Sequence, residues 1–504
     1  GSAMSIERTN SPDDVLVSWF ARANYDYQSK YLLSATFRAD GSSKFGEGNR
    51  WGFFPSAALA WRISSESFME NTNSWLDDMK VRVSFGTAGN NNIPADQINR
   101  VYSAKTTTWI NGLDSYMAPS NKMTNKDLSW ETTITRNLGL DFTMLNSKLS
   151  GSFEAYYNST RDLLIDFPTQ GTGYDSQYRN MGETENKGFE LSINYNPINR
   201  PNGSLTISAN IGINRSKIVD LAEMGDNALK GFTQMADWNS DITKDFLVVE
   251  GGRVGQMYGF KSAGRYEASD FTGYQNGKFV LAEGVTDCSA YVDLRPGSMK
   301  LQDLTGDGKV DENDMTVIGD ANPDFAGGFN ISGTIYGFDL SANFTYSIGQ
   351  DVYNANKVEF TQTRQSKYRN LTSEMASGKR WTNLRADGTM STDLSELAQM
   401  NANTTMWSPY TSKYITTDWA IEDASFLRLA TATVGYTIPT DITKKWHIQK
   451  ARIYCSGYNL FVLTDYTGYD PEVSTCRKTN MTPNVDFSAY PKSRQFVVGL
   501  NLNF

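Results

Sequence analysis

The chain has 504 residues, a formal net charge of −9 and a pI near 5.0. Its lysines and arginines are dispersed and form no basic stripe that could neutralise phosphates, so nucleic acid is excluded as an expected partner. Three cysteines (Cys288, Cys455 and Cys476) are too few and too scattered for a disulfide framework or a cysteine-based zinc site, although one pair could form in an oxidising compartment. The single histidine, His447, makes a histidine-based triad or metal cluster implausible. We expect it at the surface, in a turn.

Alternating apolar and polar residues predict β-strands along the whole chain. The first two, 15–27 and 31–39, are joined by a tight turn at 28–30, and a further strand covers 149–157. Hairpins are predicted at 189–195 with 205–213, across a turn at 197–203, and around Tyr336-Gly337. The last strand, QFVVGLNLNF, places five apolar residues on one face and ends at Phe504.

The predicted links between strands alternate between short and long. Short links lie at 28–30, 143–147, 197–203, 336–338 and about 438–449, with a modest one at 64–78. Long polar links lie at 41–51, 89–130, 161–186, about 216–325, 351–419 and 463–490. Short periplasmic turns and long extracellular loops are typical of outer-membrane barrels. The pattern predicts about 13 crossings, or 15 if two lie within 250–325, and an odd number suits part of a barrel.

These features predict an all-β fold, a transmembrane antiparallel β-barrel. No stretch approaches the roughly 18 consecutive apolar residues of a membrane-spanning helix. A mean hydropathy of −0.48 fits a barrel and a soluble β protein equally well. The aromatic residues, 12% of the chain, gather at strand ends as an aromatic girdle requires. Residues 1–14 are expected to be an extracellular loop or a start derived from cloning, and 15–504 the barrel part.

Several sequence blocks, in order along the chain, resemble the SusC/RagA family of TonB-dependent outer-membrane transporters. The quoted blocks are DGSSKFGEGNRWGFFPSAALAW (40–61), LSWETTITRNLGLDF (128–142), MGETENKGFELSINY (181–195), VEGGRVGQMYGF (249–260), DLTGDGKVDENDMTVIGDANPDFAGGFN (303–330), IEDASFLRLATATVGYTIP (421–439), SGYNLFVLTDYTGYDPEV (456–473) and YPKSRQFVVGLNLNF (490–504). Each block alone is weak, but the ordered set is specific.

The resemblance implies that the chain is the C-terminal part of a 22-stranded barrel with a plugged lumen. The family's TonB box, plug domain and first strands are not in this sequence, so an N-terminal segment of the same transporter is an expected partner. The resemblance also implies TonB-dependent import of oligosaccharides or oligopeptides across a bacterial outer membrane, and a SusD-like surface lipoprotein over the extracellular mouth. Outer-membrane lipid and the oligosaccharide or peptide ligand complete the expected partners.

The segment DLTGDGKVDEND, residues 303–314, has the spacing of an EF-hand calcium loop. Oxygen ligands are expected at positions 1, 3, 5, 9 and 12, a backbone carbonyl at position 7 and glycine at position 6. The corresponding residues are Asp303, Thr305, Asp307, Lys309, Asp311 and Asp314. Threonine at position 3 and aspartate at position 12 depart from the EF-hand and resemble dockerin-type loops. The segment predicts a structural Ca²⁺ in an extracellular loop; an acidic Asp-Gly turn is the alternative.

Substrate contacts are predicted among aromatic and amide residues of the long loops, since aromatic rings suit either a sugar or a peptide. The candidates are Trp109, Asn111, Tyr116, Trp238, Asn239 and Trp407. Each could equally pack within its own loop. Glu422 and Asp423 are adjacent carboxylates, but neighbouring strand residues point to opposite faces and form no obvious dyad.

Two other protein classes stay open from sequence alone. One is a secreted or surface calcium-bearing β-rich glycan-binding module, which would purify without detergent. The other is an extracellular glycoside hydrolase, which would turn over a polysaccharide. We expect no enzyme activity, because no nucleophile motif, phosphate-binding glycine loop or catalytic carboxylate pair stands out.

Overall fold

The computed structural model describes residues 14–99, 102–105, 116–119, 121–169, 172, 174–225, 227–363, 370–475 and 479–504. The chain divides into two compact units. Unit 1 comprises 1–199 and 205–230, and unit 2 comprises 200–204 and 231–504. Both are built on long antiparallel strands.

Thirteen long strands of the described residues belong to the main antiparallel sheet. Unit 1 contains β1 (Leu16–Tyr27), β2 (Tyr31–Ser42), β3 (Trp51–Arg62), β4 (Leu76–Asn90), β5 (Glu131–Met144), β6 (Leu149–Arg161), β7 (Glu183–Arg200) and β8 (Gly203–Asp220). Residues 200–204, at the end of β7 and the start of β8, are assigned to unit 2. Unit 2 holds β9 (Phe325–Ile335), β10 (Phe338–Ile348), β11 (Phe426–Ile438), β12 (Lys450–Thr464) and β13 (Gln495–Asn503). The count of thirteen confirms the lower of the two predicted numbers of crossings.

Smaller elements occupy the links between the long strands. The short strands are Tyr102–Lys105, Tyr116–Pro119, Lys122–Met123, Leu164–Pro168, Ser176–Asn180, Gly231–Gln234, Phe246–Val249, Gln256–Gly259, Ser262–Arg265, Phe271–Gln275, Lys278–Leu281, Met299–Leu301, Thr316–Asp320, Asp351–Asn354, Ile421–Asp423 and Val485–Asp486. The α-helices are α1 (Ala355–Phe360), α2 (Leu394–Met400) and α3 (Thr440–Thr443). No helix in the described ranges is long and apolar enough to cross a membrane.

In unit 1, alternating apolar and polar residues give the long strands one apolar face and one polar face. Strand registers align Leu33 with Leu59, Leu59 with Val83, and Val83 with Leu138. These four side chains are exposed, so an apolar row runs across β2 to β5. In unit 2, a second apolar row follows the register from Leu340 through Val434 and Cys455 to Val498. Contiguous exposed apolar rows are unfavourable in water and are what lipid requires.

Tight turns with positive φ close the short links. Gln28 and Ser29 have φ of 54° and 52°, and Tyr336 and Gly337 have φ of 44° and 89°. Two central residues with positive φ are the type I′ pattern, whose twist matches that of the flanking strands. The predicted turn at 197–203 is narrower than expected: β7 runs through Pro197 to Arg200, and only two residues separate it from β8.

Short and long links alternate along most of the chain, as predicted. One set of links is 28–30, 63–75, 145–148, 201–202, 336–337 and 439–449, and the other set is 43–50, 91–130, 162–182, 221–324, 349–425 and 465–494. The exception is the link 43–50, which was expected to be long but is shorter than 63–75 and 439–449. His447 lies exposed in a short link, in the left-handed conformation, which confirms its predicted position. Because neighbouring strands within each unit are antiparallel, the long links of that unit leave its sheet at one end.

Three long links of unit 2, residues 231–324, 349–425 and 465–494, are called the loop region below. It has apolar cores of its own. One core is centred on Phe246, Met257 and Tyr353, and another on Tyr266, Leu301 and Met375; all six side chains are fully buried. The loop region is therefore a folded structure with a water-excluding interior.

Candidate functional site

The polar face of unit 1 forms a concave surface across β4 to β8. Its cavity has a volume of about 790 Å³ and is lined by Arg82, Ser84, Thr135, Asn137, Glu154, Tyr156, Asn158, Asn186, Glu190 and Asn214. The strand registers order these residues in rows, with Thr135 opposite Asn158 and Asn158 opposite Asn186. Since neighbouring strands lie about 4.8 Å apart, hydrogen-bonding groups repeat regularly over this wall. Such a wall suits a polar ligand.

Arg82 joins three strands within this wall. Its guanidinium donates to both carboxylate oxygens of Asp141, at 2.8 and 2.9 Å, and to Glu154. It passes over Gly139, where a Cβ atom would come within 2.7–3.0 Å of the guanidinium. Glu190 faces Glu154 in the register and has no ion-pair partner in the described part of the chain. The wall therefore carries one carboxylate that is not neutralised by an arginine.

Unit 2 contains a similar arrangement. Arg452 on β12 donates from Nε to Asp339 on β10 at 2.8 Å. It crosses β11 at Gly435, where a Cβ atom would lie 2.5 Å from the Arg452 guanidinium. In both units a glycine on the middle strand gives an arginine room to reach a carboxylate beyond it. Sequence reasoning missed both clusters, because the glycines are far from their arginines along the chain.

Arg428 fixes the last long link against β11. Its side chain is 6% exposed, and Nη2 donates to both carboxylate oxygens of Asp470, at 2.8 and 2.9 Å. Glu472 lies 2.8 Å from Nε of Arg428, and Lys492 lies 3.1 Å from Glu472. Both carboxylates belong to the motif GYDPEV, residues 468–473. Its two carboxylates hold the 465–494 link in place.

Two predicted contact residues, Trp238 and Asn239, lie in the loop region. Trp238 is buried, donates from its indole N–H to the hydroxyl of Tyr353 at 3.1 Å, and packs against Tyr414. The side-chain oxygen of Asn239 accepts a hydrogen bond from the backbone N–H of Asp241. Next to these residues is a cavity of about 130 Å³, whose wall includes Asp241 and Tyr414.

The other four candidates are placed differently. Trp407 is buried and packs edge-on against Trp419, with ring centroids 4.4 Å apart, in the wall of a second, narrower cleft. The backbone of Tyr116 belongs to a short strand that pairs with Tyr102–Lys105. Trp109 and Asn111 lie outside the described residues. Trp238 and Trp407 thus belong to separate apolar clusters.

The calcium-type loop folds on hydrogen bonds to its own backbone. The Asp303 carboxylate accepts from the N–H groups of Gly306 and Gly308 at 2.6 and 2.7 Å. The buried Asp314 carboxylate accepts from Leu304, Thr305 and Asp311 at 2.8–2.9 Å. Thr305 donates to Asp303, Asp307 accepts from the N–H of Lys309, and Asp311 caps the short turn that follows.

The fit of this loop to a metal is therefore partial. No group of three or more histidine, cysteine or acidic side chains converges on one point in the described ranges. The carboxylates at positions 1 and 12 face backbone donors, although each carboxylate has lone pairs to spare for a cation. The calcium site stays a prediction.

The carboxylate of Glu422 is engaged in structural contacts. It accepts hydrogen bonds from Asn354 and from the backbone and side chain of Thr467, each at 2.9 Å, and lies 3.4 Å from Lys357. Burial alone would raise its pKa, but these hydrogen bonds and the lysine outweigh burial and hold the pKa below its usual value. Asp423 accepts from the backbone N–H of Ser425. A carboxylate held ionised by these three residues joins the 349–425 and 465–494 links.

Known proteins match the chain over nearly its full length. TonB-dependent receptor P3 of Formosa agariphila is 32% identical over 100% of this chain and 47% of its own length. TonB-dependent receptor SusC of Bacteroides thetaiotaomicron is 30% identical over 97% of this chain and 44% of its own. The RagAB peptide importer in the closed-closed state superposes with a TM-score of 0.73 at 25% identity, covering 97% of this chain and 48% of that one.

The chain spans about half the length of the curated relatives it matches. The model of the family described as "TonB dependent receptor-like, beta-barrel" matches residues 3–277. This agrees with the exposed apolar strand face, the polar opposite face and the alternating links. The chain is an outer-membrane β-barrel segment of SusC/RagA type and belongs to the TonB dependent receptor-like, beta-barrel family.

Proposed function

We propose that the chain forms the C-terminal barrel part of a TonB-dependent importer of oligosaccharides or oligopeptides. The observation that carries this proposal is the division of the unit 1 strands into an apolar exposed face and a polar face with a concavity of about 790 Å³. In a bilayer the apolar face meets lipid, and the polar face lines a water-filled path. The proposed activity is transport, with no bond made or broken.

Uptake by whole cells tests this proposal. Cells expressing the full-length transporter should accumulate a fluorescent oligosaccharide or oligopeptide, and deletion of TonB should abolish the accumulation. Equal uptake with and without TonB would contradict energy-dependent import. One structural neighbour is named a peptide importer, which supports the peptide class of cargo.

We also propose two protein partners, TonB and a SusD-like surface lipoprotein. The support is the likeness of this chain to TonB-dependent receptor SusC and to the RagAB peptide importer. Affinity purification of the tagged transporter from detergent-extracted outer membranes should recover such a lipoprotein in a fixed ratio. A transporter that purifies alone at full uptake activity would contradict this partnership.

A further partner is the N-terminal segment of the same transporter. The outer edges of β1 and β13 have no partner strand among the described residues. Unpaired strand edges are not tolerated within a bilayer, because their N–H and C=O groups find no water there. Additional strands that pair with β1 and β13 would close the barrel. Disulfide crosslinking between cysteines placed in β1 and in a preceding strand of the full-length protein tests this pairing.

The proposal of a secreted glycan-binding module finds no support in the comparisons. A protein of that class should be recovered from an aqueous fraction without detergent. The exposed apolar rows, such as Leu340 to Val498, argue for extraction by detergent only.

A further inference from the structure

A small three-stranded sheet in the loop region joins the links 349–425 and 465–494. Its middle strand, Asp351–Asn354, pairs antiparallel with Ile421–Asp423 and parallel with Val485–Asp486. Side chains at facing positions of neighbouring strands lie on the same face, and the strands are about 4.8 Å apart. The sheet therefore brings side chains from two separate links close together.

The two faces of this sheet are covered by different apolar clusters. Tyr353 and Val485 belong to the core that contains Phe246. Val352 packs in another cluster, together with Tyr466 from the last link. Because successive residues of a strand alternate between faces, Val352 and Tyr353 lie on opposite sides of the sheet. Both sides are therefore covered by apolar side chains.

Three oxygen-bearing side chains form a row on the face that carries Val352. The registers place Glu422 opposite Val352, and they place Asn354, two residues further along the same strand, opposite Asp486. Nδ2 of Asn354 donates to Glu422 at 2.9 Å, and the hydroxyl of Tyr466 donates to Oδ2 of Asp486 at 2.6 Å. Asn354 and Asp486 are only 4% and 1% exposed. The row is a buried polar cluster under Tyr466.

The two buried members of this row each keep one oxygen without a hydrogen-bond donor among the described residues. These oxygens are Oδ1 of Asn354 and Oδ1 of Asp486. The other polar atom of each group is held by Glu422 or by Tyr466, which fixes both groups in place. A buried acceptor without a donor is unfavourable and calls for a physical reason. Here two such acceptors belong to facing residues of neighbouring strands.

The row also carries one negative charge more than its surroundings neutralise. Glu422 is held ionised, and Lys357 lies 3.4 Å from it. Asp486 has no basic partner in the part of the chain that the structure describes. The carboxylate of Asp470 is balanced by Arg428 and contributes no excess charge. Burying an uncompensated charge is unfavourable, so the row has a place for one positive charge.

We propose that this row binds one monovalent alkali cation, Na⁺ or K⁺. Hard cations prefer carboxylate and amide oxygens, which are the groups that Glu422, Asn354 and Asp486 present. A single positive charge balances the two carboxylates and Lys357. Ca²⁺ would leave an excess positive charge and takes about six to eight oxygen ligands. The bound ion joins strands from two links and stabilises the folded loop region.

Limited proteolysis of the full-length transporter in detergent tests the proposal. NaCl or KCl replaces choline chloride at constant ionic strength, so that screening of surface charges does not change. EGTA is present throughout, which keeps calcium away from the predicted loop at 303–314. Above the Kd of the ion, a tenfold rise in its concentration should lower the cleavage rate of the loop region by about tenfold, because only the folded state binds it. Equal rates in the three salts would overturn the proposal.

The variant Asp486→Asn replaces the ion by a hydrogen bond. Its amide oxygen still accepts from Tyr466, and its N–H group is a donor for Oδ1 of Asn354. In choline chloride it should be cleaved no faster than wild type, and it should not respond to Na⁺ or K⁺. Asp441→Asn, at an exposed position of the 439–449 link, is the matched control and should keep the wild-type response.

Two other outcomes would overturn the proposal. Faster cleavage of Asp486→Asn with an unchanged response to alkali cations would show that Asp486 has a structural role only. Cleavage that slows as the pH is lowered, with no response to Na⁺ or K⁺, would assign the balancing charge to a proton. TonB-dependent uptake is measured separately, so the proposed importer and this cation site can fail independently of each other.

Discussion

In β3 of unit 1, Phe53 and Leu59 are 62% and 59% exposed, whereas Phe246 and Trp381 in the loop region of unit 2 are 0% and 1% exposed. Both regions contain antiparallel strand pairs, yet the first exposes its large apolar residues and the second buries them. In β3 these side chains lie at the surface, whereas in the loop region they lie in the interior. The difference indicates two solvents, lipid around the long strands and water around the loop region.

Matched phenylalanine truncations test this comparison most strongly. Phe246→Ala should destabilise the loop region by about 3–5 kcal/mol, because it leaves a cavity in a closed core. Phe53→Ala should cost much less, since lipid chains can fill the space. Thermal unfolding and limited proteolysis in detergent measure both. Equal losses would contradict the assignment of Phe53 to a lipid-facing surface.

The next largest effect on stability is expected when a charge is placed on the apolar face of β4 and compared with the same charge on its polar face. Val83 lies near the middle of β4 on the apolar face, and Ser84 follows it on the polar face. Val83→Arg should cost about 2–4 kcal/mol, the penalty for arginine at mid-bilayer depth. Ser84→Arg should lie within about 0.5 kcal/mol of wild type. Urea unfolding in lipid vesicles compares the pair, and a reversed order would exchange the two faces.

The loop region contains a buried carboxylate, Asp245, whose titration makes stability depend on pH. Asp245 is fully buried, accepts from the N–H of Ala236 at 2.8 Å, and its burial raises the pKa to about 7. In the unfolded chain the carboxyl of an aspartate has a pKa of about 3.9. The folded protein therefore keeps a proton that the unfolded chain loses, so its stability falls as pH rises from about 4 to about 7.

Asp245→Asn keeps the acceptor for Ala236 and removes the charge. We expect this variant to be more stable than wild type by about 1–3 kcal/mol at pH 8 and nearly equal at pH 4. Thermal unfolding at a series of pH values measures the difference. A difference that does not change with pH would rule out titration of Asp245 as its cause.

The smallest expected effect concerns the predicted calcium loop. If residues 303–314 bind Ca²⁺ in the folded state only, calcium at ten times its Kd should stabilise the loop region by about 1.4 kcal/mol. Asp303→Asn should remove the response, and Mg²⁺ at the same concentration serves as the control ion. A thermal midpoint that is unaffected by calcium or a chelator would leave the loop as an acidic turn.

The long strands could be predicted from sequence far better than the loop region. Period-two alternation, as in 31–39, is local and sets both the strand and its faces. The turn between β7 and β8 is an exception: the sequence predicts it at 197–203, but β7 continues through Pro197 to Arg200 and leaves only two residues in the turn.

Contacts between distant segments were out of reach from sequence. Arg82 with Gly139, and Arg428 with Asp470, join residues that only strand registers and loop closure bring together. The burial of Trp238 and Trp407 was equally hidden, because an aromatic residue in a polar link looks the same whether it packs inside or meets a ligand.

The alternation of short and long links also bears on how the chain folds. The hairpin of β9 and β10 closes over two residues, so it can form from local contacts within microseconds. Pairing of β10 with β11 must first close the 349–425 link, and this entropy is recovered only once the distant strands meet. Hairpins joined at the short links are therefore the natural units of assembly, and the loop region, whose core residues come from three separate links, is complete only after the last of them is in place.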